Sequence, residues 1–248
     1  MSGPVNAAFD HDVALTGGYR YAGGHRLSCR LANARVSRAV FAAASFEGAH
    51  VIDIGCGDGT YSLELAAVGG AAKVHGVDRS AGAVEAAASR TGTVPTVTFA
   101  RGEASDLPHA DAAFDIALLR GVLHHVDDPR DVLREALRVA STVVVLEPNG
   151  LNPGVKLLER ASPYHRAHGE RSYTPRRLEA WVSALGGHVV HRDWVGFVPV
   201  FSPDSYARLA KRIEPLVEGT PMRRVGCAQY VLTARSCLTR RRSARLAA

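Results

Sequence analysis

Three glycines at alternate positions, Gly55, Gly57 and Gly59, follow the run Val51-Ile52-Asp53-Ile54 and enclose an acid at Asp58. β-Branched apolar residues running straight into glycines read as a buried strand ending in a tight loop. Glycine is needed where the backbone takes positive φ or lies close against a ligand. Tyr61–Val68 then supplies helix formers with apolar residues near one face. A loop that opens a helix offers unpaired N–H groups to a ligand with negative charge. Asp78 lies 19 residues beyond Gly59, at the end of a second short strand, Lys73–Asp78. That separation suits a strand–loop–helix–strand unit whose second acid receives two ribose hydroxyls. The other reading of Asp78 is a cap for the helix Ala81–Arg90, a role Ser80 could fill equally. The remaining proton-transfer groups are His124 and His125 and, in a polar, aromatic stretch, Tyr164, His165 and His168. Imidazole can give and take protons near neutral pH. His165-x-x-His168-x-Glu170 has a spacing open to metal binding, but short clusters of this kind are usually hydrogen-bonded surface groups, and no resident metal is expected.

A nicotinamide dinucleotide and a sulfonium cofactor can both use a glycine turn after a first strand. The dinucleotide fingerprint places its third glycine three residues after the second, where this chain has Thr60. Asp58 would also repel a pyrophosphate, whereas it could accept hydrogen bonds from an ammonium or hydroxyl. Asp53-x-Gly55-x-Gly57-x-Gly59 resembles motif I of the class I S-adenosylmethionine (SAM) dependent methyltransferases. A second passage, Arg101 to Asp115, is similar to the family in its acid–alanine pair, Leu107-Pro108 and Phe114-Asp115. The resemblance covers residues 48–150 strongly and the remainder in outline, and it implies SAM as cofactor. It places Glu103 near the adenine amine, where aspartate is more usual, and the Ala104 N–H at the ring. Arg79 and Arg120 join Asp53, Gly55, Gly57, Gly59 and Asp78 in the cofactor set, with Tyr21 and Arg26 of an N-terminal cap as further lining. His124-His125 stands where the family often has a histidine supporting the loop, so support and catalysis are both open. An insertion after the fifth strand resembles the place where the family builds its acceptor site, which makes His165 a third catalytic candidate. The activity implied is methyl transfer to an oxygen or nitrogen of a small-molecule acceptor, of the kind found in secondary metabolism.

The elements that must position these groups alternate strand, helix, strand five times, with Phe114–Leu119 and Ser141–Asn149 as the fourth and fifth strands and Arg130–Ala140 between them. That repetition implies a doubly wound, mostly parallel sheet with ligands at the carboxyl ends of its strands. The family pattern extends it to a seven-stranded sheet with helices on both faces, the last strand antiparallel and an N-terminal helical cap. The organisation expected is a cap over 1–46, a Rossmann-like domain over 47–239 with its insertion at about 150–187, and a basic tail over 240–248. The expected third strand is Val94–Ala100, and the last two are Val189–Val195 and Gln229–Ala234. Three helices are expected after the fifth strand, Val155–Ala161, one opened by Thr174-Pro175, and Pro203–Glu218.

The chain has 248 residues, 46% of them hydrophobic and 22% charged, which is ordinary for a globular protein that can bury a large core. Its net charge of +6 owes four arginines to the last nine residues, and without those nine it is +2. Basic tails are usually solvated; the sequence admits contact with a membrane surface through this one and disfavours nucleic acid as a partner. No apolar run reaches the ~20 residues that span a bilayer, and Met1–Asn6 lacks the features of a signal peptide. The four cysteines form no CxxC pair and suit reduced thiols of a cytoplasmic protein. A non-catalytic SAM-binding or RNA-associated protein, and a nicotinamide-dependent oxidoreductase, stay open as other readings.

Overall fold

The computed structural model describes residues 26–92, 94–163, 166 and 170–237. Helix α1 (Leu27–Ala43) precedes β1 (His50–Ile54), α2 (Thr60–Ala67), β2 (Lys73–Asp78), α3 (Ala81–Thr91) and β3 (Val97–Arg101). Next come β4 (Phe114–Arg120), a 3-10 turn (Leu123–His125), α4 (Pro129–Val139) and β5 (Ala140–Pro148). The chain continues through α5 (Pro153–Ala161), α6 (Pro175–Ala184), β6 (Gly187–Val195), α7 (Asp204–Glu218), α8 (Arg223–Gly226) and β7 (Gln229–Ser236). The strands form one seven-stranded sheet in the order β3-β2-β1-β4-β5-β7-β6. β1 to β5 pair in parallel, and β7 runs antiparallel between β5 and β6. This is the doubly wound fold implied by the sequence. The order reverses between β1 and β4, so a crevice opens at their carboxyl ends, where ligands of such sheets bind.

Both faces of the sheet are covered, which explains the near-continuous apolar runs of its central strands. Ile52 and Ile54 of β1 and Ala117 and Leu119 of β4 share one core with Leu133 and Leu137 of α4 and Leu178 of α6. Val51, Ile116 and Leu118 point the other way and join Val36 and Val40 of α1 and Leu65 of α2. Asp128 caps α4, its carboxylate accepting the Arg130 N–H at 2.9 Å, with Pro129 in the first turn. Among the described residues no helix is long and apolar enough to cross a membrane.

Two boundaries and one cap show why the structure departs locally from the sequence reading. β3 begins at Val97 because the Val94 N–H closes a turn onto the Thr91 carbonyl and Pro95 has no N–H for the ladder. α5 begins at Pro153: Asn152-Pro153 starts the helix, the Asn152 side chain accepting the Val155 N–H at 3.0 Å. Thr174 stands at the N-cap of α6 but its side chain makes no capping bond there, leaving Pro175 to set the first turn.

Leu133 is fully buried between α4 and the sheet. Leu133→Ala is expected to lower stability by about 2–5 kcal/mol through lost contacts and a residual cavity. The expected signature is a lower urea midpoint at an unchanged slope.

Candidate functional site at the carboxyl ends of the parallel strands

The loop from β1 to α2 takes a left-handed backbone at all three glycines, with φ of +76° at Gly55, +56° at Gly57 and +75° at Gly59. Two of the three are also sterically required. A Cβ on Gly55 would come within 2.5 Å of Val122 Cγ2, and one on Gly59 within 2.7 Å of Phe99 Cζ and 2.8 Å of Ala87 Cβ. The loop is fastened to β2 by the Gly55 and Cys56 N–H groups, which donate to the Val77 carbonyl at 2.7 and 3.1 Å. Asp78 then accepts the Gly57 N–H at 2.9 Å on one carboxylate oxygen and the Ser80 N–H at 2.9 Å on the other. Burial pushes the Asp78 carboxyl above its ordinary range, against the two N–H groups that favour its charged form. Ser80, not Asp78, caps α3, accepting the Ala83 N–H at 3.1 Å. Asp58 faces inward: it accepts the Thr60 N–H at 3.1 Å and pairs with Arg90 of α3 at 2.9 Å.

Glu103 is exposed just past the end of β3, beside the partly buried Ala104, and its carbonyl accepts the Asp106 N–H at 3.1 Å. Arg79 is exposed after β2. Asp53 is buried in β1, and the half-buried Arg120 ends β4. Ser62 donates its hydroxyl to Asp53 at 2.6 Å. The Arg120 guanidinium lies 3.3 Å over the Tyr61 ring and donates to the Ser37 hydroxyl at 3.1 Å, joining β4, α2 and α1. Arg26 donates to the Phe201 carbonyl at 3.3 Å, ahead of α7. Tyr21, Tyr164, His165, His168 and the basic tail 240–248 lie outside the described residues.

The histidine pair after β4 is organised by a residue that the sequence reading assigned no role. Glu147, fully buried at the end of β5, accepts the Val122 and Leu123 N–H groups at 2.8 and 2.7 Å on one oxygen and meets His124 Nδ1 at 2.7 Å with the other. Its signal was an acid closing the otherwise apolar run Val143–Leu146. Burial alone would lower the His124 pKa, but the charge and hydrogen bond of Glu147 outweigh it and hold His124 above its ordinary value. The His125 ring is tilted against that of His124 at 3.8 Å between centroids. The insertion is tied to the same turn: the Arg171 N–H donates to the His124 carbonyl at 3.2 Å. Glu159 of α5 accepts the Ser172 N–H at 2.7 Å, and Lys156 donates to the Ser172 carbonyl at 2.9 Å.

Residues 52–147 match the family model described as a methyltransferase domain. Over 197 residues the chain is 30% identical to 27-O-demethylrifamycin SV methyltransferase of Amycolatopsis mediterranei, covering 75% of this chain and 70% of that one. The chain belongs to the class I SAM-dependent methyltransferases. SAM is therefore its cofactor. A solved structure from Thermotoga maritima, described as a SAM-dependent methyltransferase and possible histamine N-methyltransferase, superposes with a TM-score of 0.68 at 22% identity. That match covers 93% of this chain and 99% of the other, and it shows the shared fold. An uncharacterized 37.1 kDa protein in transposon TN4556 of Streptomyces fradiae is 42% identical over 93 residues, 37% of this chain and 27% of that protein's length.

In this methyltransferase the buried Asp53 makes a pH-dependent contribution to stability. Burial raises its pKa from 3.8 to about 6, against the opposing effects of Ser62 and Arg120. A carboxyl whose folded pKa is raised favours the fold at low pH and loses that contribution as pH rises to the folded value. The shift corresponds to about 3 kcal/mol against the ionised form. Asp53→Asn keeps an acceptor for Ser62 and cannot ionise. Urea unfolding of both proteins should show the variant gaining on the native chain by up to about 3 kcal/mol between pH 4 and pH 7; parallel stability curves would refute titration of Asp53 in that window.

Proposed function

We propose that this methyltransferase moves the methyl group of SAM onto an oxygen or nitrogen of a small-molecule acceptor. The observation that carries the reading is the contact between the left-handed glycine loop and Asp78. It joins the loop backbone to an acid at the crevice between β1 and β4. These groups fit the cofactor, since Gly57 leaves backbone without a side chain, Asp78 retains unused lone pairs, and Glu103 with Ala104 stands one strand further along. In this reading Gly55, Gly57 and Gly59 seat the amino-acid end, Asp78 accepts the ribose hydroxyls, and Glu103 and the Ala104 N–H meet the adenine. Arg79 flanks the nucleoside, and Tyr21 belongs to the cap over residues 1–46. Asp53 and Arg120, which hold α2 and α1 through Ser62, Tyr61 and Ser37, complete the cofactor set.

When bound, the cofactor supplies an electrophilic methyl carbon on a positively charged sulfur. The chain's task is to align the acceptor's lone pair with the carbon–sulfur bond, and positioning of this kind is worth up to about 7–11 kcal/mol. His124 and His125 are the groups that polarise the acceptor's nucleophile, His124 being held in orientation by Glu147. The insertion at about 150–187 supplies the acceptor side, and His165 is its candidate for catalysis. A secondary-metabolic acceptor is supported by the relative named for a demethylrifamycin substrate, and a cytoplasmic setting by the four free cysteines.

Calorimetric titration should show SAM binding without NAD binding. Asp78→Ala is expected to weaken SAM binding at least tenfold with the circular dichroism unchanged, because a charge-assisted contact is worth about 1.5–3 kcal/mol. Unchanged affinity would sink the assignment of Asp78.

A further inference from the structure

We propose that His124, His125 and Glu170 form a binding site for a divalent transition-metal ion beside the cofactor crevice. One ligand atom from each lies within 4.8 Å of the others. Two imidazoles and one carboxylate suit the zinc, cobalt and iron(II) class, whereas magnesium and calcium favour all-oxygen sets. Bond lengths of about 2.0–2.2 Å place the donors of such an ion roughly 3.3 Å apart. The remaining contraction falls to χ rotations of His125 and Glu170, both only partly buried.

Glu147 supplies the second, independent observation. It meets His124 Nδ1 at 2.7 Å, which fixes the ring and leaves Nε2 as the nitrogen this proposal assigns to the ion. A carboxylate behind a histidine is the arrangement that orients metal-ligating imidazoles and raises their basicity. Binding releases any Nε2 proton to solvent. Glu170 is kept near the pair by its own neighbours, since Arg171 is hydrogen-bonded to the His124 carbonyl and Ser172 to Glu159 and Lys156 of α5. Three protein ligands leave a coordination position open for a water or an acceptor's oxygen or nitrogen. With the ion in place it is the ion, not the two imidazoles directly, that polarises the acceptor, and this role rests on the methyl-transfer reading; the binding of the ion does not.

The test is optical titration of the chelator-treated full chain with Co²⁺, read by the ligand-field absorption of a low-coordinate site, and competition by Zn²⁺. One equivalent of Co²⁺ is expected per chain. His125→Asn and Glu170→Gln are each expected to weaken it at least tenfold, while His188→Asn on the exposed face of β6 leaves it unchanged. SAM titration of every variant in EDTA checks that each is folded and reports the cofactor reading separately. Absence of the Co²⁺ spectrum in the native chain, or equal Co²⁺ affinity in His125→Asn and Glu170→Gln, overturns the site.

Discussion

A carboxylate with no access to water has to be matched by donors or it opposes folding. Glu147 meets that demand at the end of β5 by taking two backbone N–H groups from the turn after β4 and the His124 ring. These contacts determine where the turn goes. Val122, whose N–H is one of the donors, packs against Gly55 so closely that no Cβ fits there. The position of the first glycine therefore depends on an acid two strands away. On its other side the same turn receives the insertion through the Arg171 N–H. Glu147 thus links the strand ends, the glycine loop and the segment at Arg171 in one network, and truncating it would leave several buried groups unpaired at once.

The glycine loop is clamped from both directions. Asp78 draws Gly57 toward β2, and the Asp58–Arg90 pair draws the next residue toward α3. A loop built from residues that fold readily into many conformations is destabilised by its own entropy, so these contacts hold it near the shape that a ligand requires. Arg90 is more exposed than Asp58 in this pair, and solvent weakens what it contributes. Asp58 is the buried carboxylate of the clamp, and the half-buried Asp78 is the one nearest the proposed ribose.

Much of the cofactor half could be read from the sequence because its signals are local. Positive φ at Gly55, Gly57 and Gly59 and the strand end at Asp78 all follow from residue type and short spacing. The inward turn of Asp58 depended on Arg90, 32 residues on, and the seat of Arg120 depended on Ser37, 83 residues back. No periodicity reports such partners. Asp53 was assigned to the cofactor set from its place in the motif; its nearest partner is Ser62, on the inward face of α2. The start of β3 was misplaced because Val94-Pro95 carries strand-like residue types in a turn that only backbone pairing reveals.

The proposed acceptor half was legible only as a location. Its polar groups come from two segments far apart in sequence, His124 and His125 after β4 and Glu170 after α5, and what joins them is a backbone bond from Arg171. The family model ends at residue 147, just where that second segment has yet to begin. A fold shared at 22% identity with the Thermotoga maritima structure therefore constrains the strand ends far more than the chemistry opposite them. In this chain the cofactor half is set by the sheet itself. The acceptor half depends on whether α5, through Glu159 and Lys156, holds the segment from Glu170 to Tyr173 against the histidine turn. The segment Glu170–Tyr173 is thus held by contacts that the sheet does not supply, from α5 on one side and from the His124 carbonyl on the other.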